Sequence, residues 1–179
     1  MKGKIKYIIF IIIVCISIIL SFRYKEINKD SPNAYEKQVY KVNELVELDN
    51  LEFKINSYNI IRGNDEATND KIILNIEMKN KSSDKIDVKT LISNSKLSDG
   101  FEYLDAPGVD EKDLKKIQGL APGEVLEATI YYSSVPNRIN FDNGLQFYIA
   151  NDLYKTQIRE RYDERKFYAK YIELKWIKF

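Results

Sequence analysis

Histidine is missing from this 179-residue chain, and cysteine occurs once, as Cys15. Without them there is no Ser-His-Asp or Cys-His nucleophilic machinery, no imidazole- or thiolate-based zinc site and no disulfide framework. Only carboxylates, lysines, tyrosines and hydroxyls remain to do chemistry, so neither a cofactor nor a resident metal is expected. A basic surplus is lacking too. Lys2, Lys4, Lys6 and Arg23 precede Tyr24, and the rest of the chain holds 24 basic against 27 acidic residues. That balance excludes non-specific binding of nucleic acid, which needs excess positive charge.

What is present begins with one uncharged run, residues 7–22, YIIFIIIVCISIILSF. As a helix it spans roughly 24 Å at ~1.5 Å per residue, the short end for a bilayer crossing of ~17–25 residues. Tyr7 and Tyr24 flank it as interfacial aromatics do. Three lysines before it against Arg23 and Lys25 after it favour a cytoplasmic N-terminus. A cleaved signal needs small residues one and three places before the cut; Ser21 with Ile19, and Ser17 with Cys15, supply this poorly. Lipidation at Cys15 needs a small residue before it and polar ones soon after, whereas Val14 and Ile16 flank it. The expectation is an uncleaved signal anchor over residues 1–23, a single-pass transmembrane helix, with Cys15 a small hydrophobe inside it. A polar stalk over 24–38, with a turn at Ser31-Pro32-Asn33, then leads to one domain over 39–179, the cell-exterior part.

From Val39 onward apolar residues recur with period two, the mark of half-buried strands. Leu51, Phe53 and Ile55 alternate with Glu52, Lys54 and Asn56. Ile72, Leu74, Ile76 and Met78 share a face, as do Leu126, Ala128, Ile130 and Tyr132, then Leu145, Phe147 and Ile149, and finally Ile172, Leu174 and Trp176. Residues 86–88 and 91–97 read as weaker strands, and 112–117 as one or two helical turns. Asp99-Gly100 marks a hairpin, Ala121-Pro122-Gly123-Glu124 a type II turn, and residues 80–84 another turn. Many short strands at this spacing predict an all-β fold, an antiparallel immunoglobulin-like β-sandwich.

Several of these stretches occur together in one family. YKVNE (40–44) followed by LEFKI (51–55) resembles its opening strand pair. KIILNIEMKNKS (71–82) resembles its central strand and Asn-x-Ser turn, LSDGFEY (97–103) its Asp-Gly hairpin, and LAPGE (120–124), with the strand ending at Val135-Pro136, its Leu-x-Pro-Gly-Glu block. The chain is similar over residues 40–149 to the secreted or membrane-anchored immunoglobulin-like domains of unknown function widespread in Gram-positive bacteria. The resemblance implies a sandwich outside the membrane and no established activity. Two features depart from it: a lipobox is absent, and residues 151–179 exceed the usual final strand.

Three clusters are candidate sites. Asn64, Asp65, Glu66, Asn69 and Asp70 crowd one loop, as oxygen ligands for calcium do, but their spacing matches a solvated turn equally well. Asp99, Asp105, Asp110, Glu111 and Asp113 form an acidic stretch, and paired carboxylates hydrolyse glycosides; Lys112, Lys115 and Lys116 among them favour a solvated loop and helix. Arg159, Arg161, Arg165 and Lys166 stand with Tyr162, Phe167 and Tyr168, a basic-aromatic set suited to a partner protein or an anionic wall polymer. Glu160, Asp163 and Glu164 offset its charge, which favours a charged edge strand or short helix. No catalytic, cofactor or metal residue is assigned. The sequence favours a non-catalytic binding or assembly module at the cell envelope, not an enzyme. A carboxylate-dependent cell-wall glycoside hydrolase and an accessory subunit of a membrane protein are the alternatives. An enriched patch among the thirteen tyrosines would mark a binding face.

Overall fold

The computed structural model describes residues 2–63, 69–105 and 107–175. In chain order the elements are α1 (Lys2–Asn28), β1 (Ala34–Lys41), β2 (Val46–Glu47), β3 (Leu51–Ile61), β4 (Asp70–Asn80), α2 (Lys89–Asn94), β5 (Lys96–Ser98), β6 (Tyr103–Leu104), β7 (Gly108–Val109), α3 (Glu111–Ile117), β8 (Val125–Ser134), β9 (Leu145–Tyr148), α4 (Lys155–Asp163) and β10 (Lys166–Leu174). The strands make two five-stranded sheets, ordered β1-β10-β9-β5-β6 (sheet A) and β2-β3-β4-β8-β7 (sheet B).

The alternating strands bury the faces their sequences mark. Leu51, Phe53, Ile55, Ile72, Leu74, Ile76, Leu126, Ile130 and Tyr132 from sheet B meet Leu97, Leu145, Phe147, Ile172 and Leu174 from sheet A. Phe53 and Phe147 stack across the layers, their centroids 5.6 Å apart, and Tyr132 meets Phe147 edge-on at 6.5 Å.

Four expectations are corrected. The sandwich is not wholly antiparallel, since β1 runs parallel to β10 over eight register pairs. Residues 24–38 are not a stalk throughout: α1 continues to Asn28 and β1 begins at Ala34. Residues 91–97 are not a strand but α2 and the start of β5. From residue 88 to 95 the buried positions are Val88, Leu91, Ile92 and Ser95, a helical spacing rather than an alternation. The C-terminal segment supplies both a helix and a strand, and β10 is interior to its sheet, between β1 and β9. Tyr168, Ala169, Lys170, Tyr171 and Ile172 are consecutively buried, so the period-two signal at Ile172 and Leu174 does not extend back along the strand. Trp176 and residues 64–66 lie outside the described residues.

The type II turn forms as expected. The Glu124 N–H donates to the Ala121 carbonyl at 3.0 Å, and Gly123 holds φ +73°. A Cβ on Gly123 would meet nothing within 4 Å, so Gly123→Ala tests backbone strain alone. It should lower stability by about 1 kcal/mol, read as a lower urea midpoint; an unchanged midpoint would mean the turn relaxes at no cost.

Helix α1 spans 27 residues, and its side chains from Phe10 to Phe22 are all exposed. The Ser17 hydroxyl donates to the Ile13 carbonyl at 2.9 Å and the Ser21 hydroxyl to the Ser17 carbonyl at 2.8 Å, so neither polar group needs an outside partner. Among the described residues, no helix is long and apolar enough to cross a membrane.

Candidate functional site

Among the described residues, the acids of this stretch do not gather into a catalytic pair. Asp99 is buried in the β5–β6 hairpin, where its carboxylate accepts the backbone N–H groups of Phe101 (2.9 Å), Glu102 (2.8 Å) and, from the loop before β9, Asn140 (2.8 Å). Gly100 takes φ +97° in the same turn. Asp105 is exposed and pairs with Lys96 at 3.1 Å. Asp110 stands at the N-terminal boundary of α3. Asp113 is buried and accepts the Thr129 N–H at 3.3 Å. It shares a polar depression of about 260 Å³ with Glu127 on the outer face of sheet B. The side chain of Glu111 lies outside what is described.

Burial by itself would raise the Asp99 pKa, but the N–H groups of Glu102, Asn140 and Phe101 together outweigh it and hold the carboxyl below its ordinary value. The stability this contributes is present above the unfolded-state pKa and is lost as pH falls through the folded value. Asp99→Asn should cost about 2 kcal/mol at neutral pH and flatten the acid limb of the profile. Urea melts at neutral and acid pH check this; an equal loss at both would assign the effect to shape rather than charge.

Asp70, at the start of β4, is buried. Its Oδ1 accepts the Gly63 N–H at 2.8 Å and lies 4.0 Å from the Arg62 Nε. Asn69 is exposed beside it. Among the described residues, no group of three or more histidine, cysteine or acidic side chains is placed to hold a metal ion.

The basic-aromatic cluster divides in two. Arg161 and Lys166 join Glu36 and Glu164 in one ion-pair network, with contacts of 2.9–3.6 Å. Arg159 is exposed on α4, and Arg165 makes the turn into β10 with φ +62°. The aromatic members meet partners that the sequence does not place nearby. Tyr35, Tyr103, Tyr148, Tyr162, Phe167 and Tyr168 line a cleft of about 570 Å³ over sheet A, with Lys96, Lys166 and Asp152 among its polar groups.

Register builds this cleft. Tyr171 of β10 lies opposite Tyr148 of β9, and their rings are 5.2 Å apart. Tyr148 reaches Tyr103 at 6.0 Å. The Lys37 ammonium stands 5.4 Å from the Tyr35 centroid and 6.0 Å from that of Tyr171, and Lys96 stands 5.9 Å from Tyr103, as cation–π contacts do. Burial raises the pKa of Tyr148, Tyr168 and Tyr171; the Tyr148 hydroxyl donates to the Gln146 side-chain oxygen at 2.7 Å and the Tyr168 hydroxyl to that of Gln38.

Behind Tyr168 lies a second depression of about 460 Å³, lined by Gln38, Tyr40, Glu47 and Lys170 among others. Lys170 is buried. Its ammonium donates to the Glu47 carbonyl at 2.5 Å and stands 5.8 Å and 5.6 Å from the Tyr40 and Tyr154 centroids. Burial lowers its pKa, against the opposing charges of Asp49 and Glu47.

A family model described as a domain of unknown function, DUF4352, matches residues 40–156. Among solved structures, an uncharacterized β-sandwich protein from Clostridium difficile 630 is similar at 11% identity and a TM-score of 0.56, covering 81% of this chain and 99% of that one. The yjhA protein from Bacillus subtilis is similar at 14% identity and a TM-score of 0.50, covering 75% and 99%. No curated protein matches the chain. At these identities the structural likeness carries the β-sandwich fold and nothing about ligands.

Proposed function

The chain belongs to the DUF4352 family of domains of unknown function, and from that premise we propose a membrane-anchored, non-catalytic binding module on the cell exterior. Its ligand face is the tyrosine cleft of sheet A. The observation that carries this reading is the convergence of six aromatic side chains, from β1, β6, β9, α4 and β10, on one open cleft. Aromatic rings with protonated phenols supply contact area and hydrogen bonds at small entropic cost. An immunoglobulin-like description is supported by strand order: β3-β4-β8-β7 against β10-β9-β5 follows the ABED-against-GFC pattern of that fold. The anchor reading is supported by the uncharged run over residues 7–22, part of whose side chains lie outside what is described, and by α1, whose described apolar side chains from Phe10 to Phe22 are exposed and whose serines are self-satisfied. Such a surface suits lipid.

The partner is a protein or a cell-wall polymer. Surface cross-linking and pull-down from intact cells, repeated with a Tyr103→Ala, Tyr148→Ala double variant, tests the face. Two aromatic contacts of about 1 kcal/mol each correspond to a roughly thirtyfold loss of capture. Equal capture by both forms would remove the cleft from the reading.

The second reading, a carboxylate-dependent wall hydrolase, draws on Asp113 and Glu127 sharing one depression. Against it, Asp99 and Asp113 accept backbone N–H groups and Asp105 is ion-paired. A cell-wall zymogram should give no clearing; a band lost in Asp113→Ala or Glu127→Ala would favour the hydrolase.

A further inference from the structure

Resting on the reading of α1 as a membrane anchor, we propose that the α4–β10 end of the sandwich is seated in the headgroup layer of the bilayer, with Tyr35, Tyr162 and Phe167 as its interfacial contacts. The connection between helix and sandwich is short and pinned. Helix α1 ends at Asn28 and β1 begins at Ala34. The Ser31 N–H donates back to the Asn28 carbonyl at 3.2 Å, and the Asn33 N–H donates to the Arg165 carbonyl at 2.9 Å. The chain therefore leaves the helix and enters the fold at the Arg165 turn, which fixes the end of the sandwich facing the bilayer.

That end is aromatic and forms the bilayer-side rim of the tyrosine cleft, while Tyr148, opposite Tyr171 and four residues further along β10 than Phe167, and Tyr103 beside it line the part left open to a ligand. Tyr35 and Phe167 are register partners, exposed by 58% and 52%. Tyr162 is 48% exposed and is tied to the same turn by its carbonyl, which accepts the Arg165 N–H at 2.8 Å. Tyrosine and similar rings, apolar in body and polar at one tip, favour the membrane–water interface. Charge decides which lipid. Arg161 and Lys166 are matched by Glu36 and Glu164, and Arg159 and Arg165 are offset by Glu160 and Asp163 in the same segment. The end is neutral overall, so the occupant is the interfacial layer itself, and phosphatidylcholine suffices.

The opposite end supplies the control. Strand β10 runs nine residues away from the Arg165 turn, about 26 Å at ~3.3 Å per residue. Its last residue, Leu174, pairs with Leu145. Ser98 pairs with the next residue, Gln146, and leads into the hairpin that presents Phe101 at 83% exposure.

The test uses the full chain in phosphatidylcholine vesicles, with Cys15→Ser to remove the native thiol. Phe167→Cys, Tyr162→Cys and Phe101→Cys each carry an environment-sensitive fluorophore, and nitroxide-headgroup lipid is the quencher. The expected result is several-fold stronger quenching at positions 167 and 162 than at 101. Equal, weak quenching at all three positions in vesicle-bound chain overturns the seat and leaves the anchor standing. Chain that stays in the supernatant overturns both. Quenching at 167 and 162 that requires anionic phosphatidylglycerol overturns the neutral interfacial seat.

Discussion

Replacing Asn80 with alanine should lower the stability of the sandwich by about 3 kcal/mol, because it removes four side-chain hydrogen bonds that contribute ~0.5–1.5 kcal/mol each. Asn80 is fully buried at the end of β4. Its side-chain amide donates to the Asp84 carbonyl at 2.7 Å and to the Leu120 carbonyl at 2.9 Å. Its side-chain oxygen accepts the Ser82 N–H and hydroxyl, each at 2.8 Å. Its backbone carbonyl accepts the Gly123 N–H at 3.0 Å, and its N–H donates to the Glu124 carbonyl at 3.1 Å. One residue thus closes its own turn and clamps the Pro-Gly turn to it. Alanine keeps the two backbone bonds; the Leu120 carbonyl retains the Ile86 N–H and the Asp84 carbonyl the Ser82 hydroxyl, so the Ser82 N–H is the group that loses its partner. Urea denaturation of the full chain in mild detergent measures the loss, and a loss under 1 kcal/mol would mean that water replaces the amide without cost.

The second large effect is alkaline. Burial pushes the Tyr154 phenol up to about 12, with the Lys170 N–H bond partly opposing it. Burial raises Tyr132 further, with Asp105 adding to it, and likewise Tyr40, with Tyr168, Glu44 and Glu47 adding. A phenol whose folded pKa lies above its unfolded value stabilises the fold fully below the unfolded pKa, and that stability is lost as pH rises through the folded value. At 1.36 kcal/mol per unit, Tyr154 alone removes about 2–3 kcal/mol between pH ~10 and ~12. Lys170 acts in the opposite sense. Its depressed folded pKa means that the unfolded chain binds the extra proton, so its contribution improves as pH climbs towards its unfolded value. The profile should therefore hold or rise slightly up to about pH 10 and then collapse. The tyrosinate absorbance of the buried phenols should appear as a distinct step that coincides with loss of β-sheet circular dichroism. The Tyr132 hydroxyl donates to the buried Ser95 carbonyl at 3.2 Å. Tyr132→Phe should move the collapse to higher pH at the expense of that bond, and a collapse unmoved in the variant would remove Tyr132 as its cause.

The sheets were legible because strands buried on one face advertise it. Ile72, Leu74, Ile76 and Met78 alternate with Ile73, Asn75, Glu77 and Lys79, and only the first set is fully buried. The turns were legible because Gly123 and Gly100 occupy backbone conformations that other residues resist. Strand β10 was legible only at Ile172 and Leu174, because before them both faces are covered, Tyr168 by Tyr154 and Arg161 and Tyr171 by Tyr148 and Lys37, which erases the alternation. The same segment therefore read as a charged edge. The cleft was hidden for a different reason. Tyr35, Tyr103 and Tyr148 come from three separated strands, and the sheet order β1-β10-β9-β5-β6, with β1 parallel to β10, brings them to Tyr162 and Phe167. Pattern within a segment reports which face is buried; it says nothing of which segments become neighbours. Asp99 shows a third limit, since a carboxylate committed to three backbone N–H groups has the same one-letter code as a catalytic one.

The parallel pairing of β1 with β10 also sets how the domain bears a mechanical load. The residue that receives any pull from α1 is the first of β1, and all eight register pairs lie along the line of that pull. Tension on the helix therefore slides β1 lengthwise past β10, and the ladder must yield as a whole. Had β1 entered antiparallel, with its loaded end at a free corner, the same tension would have peeled it one pair at a time. Under such tension the domain is fastened by shear rather than by a zipper.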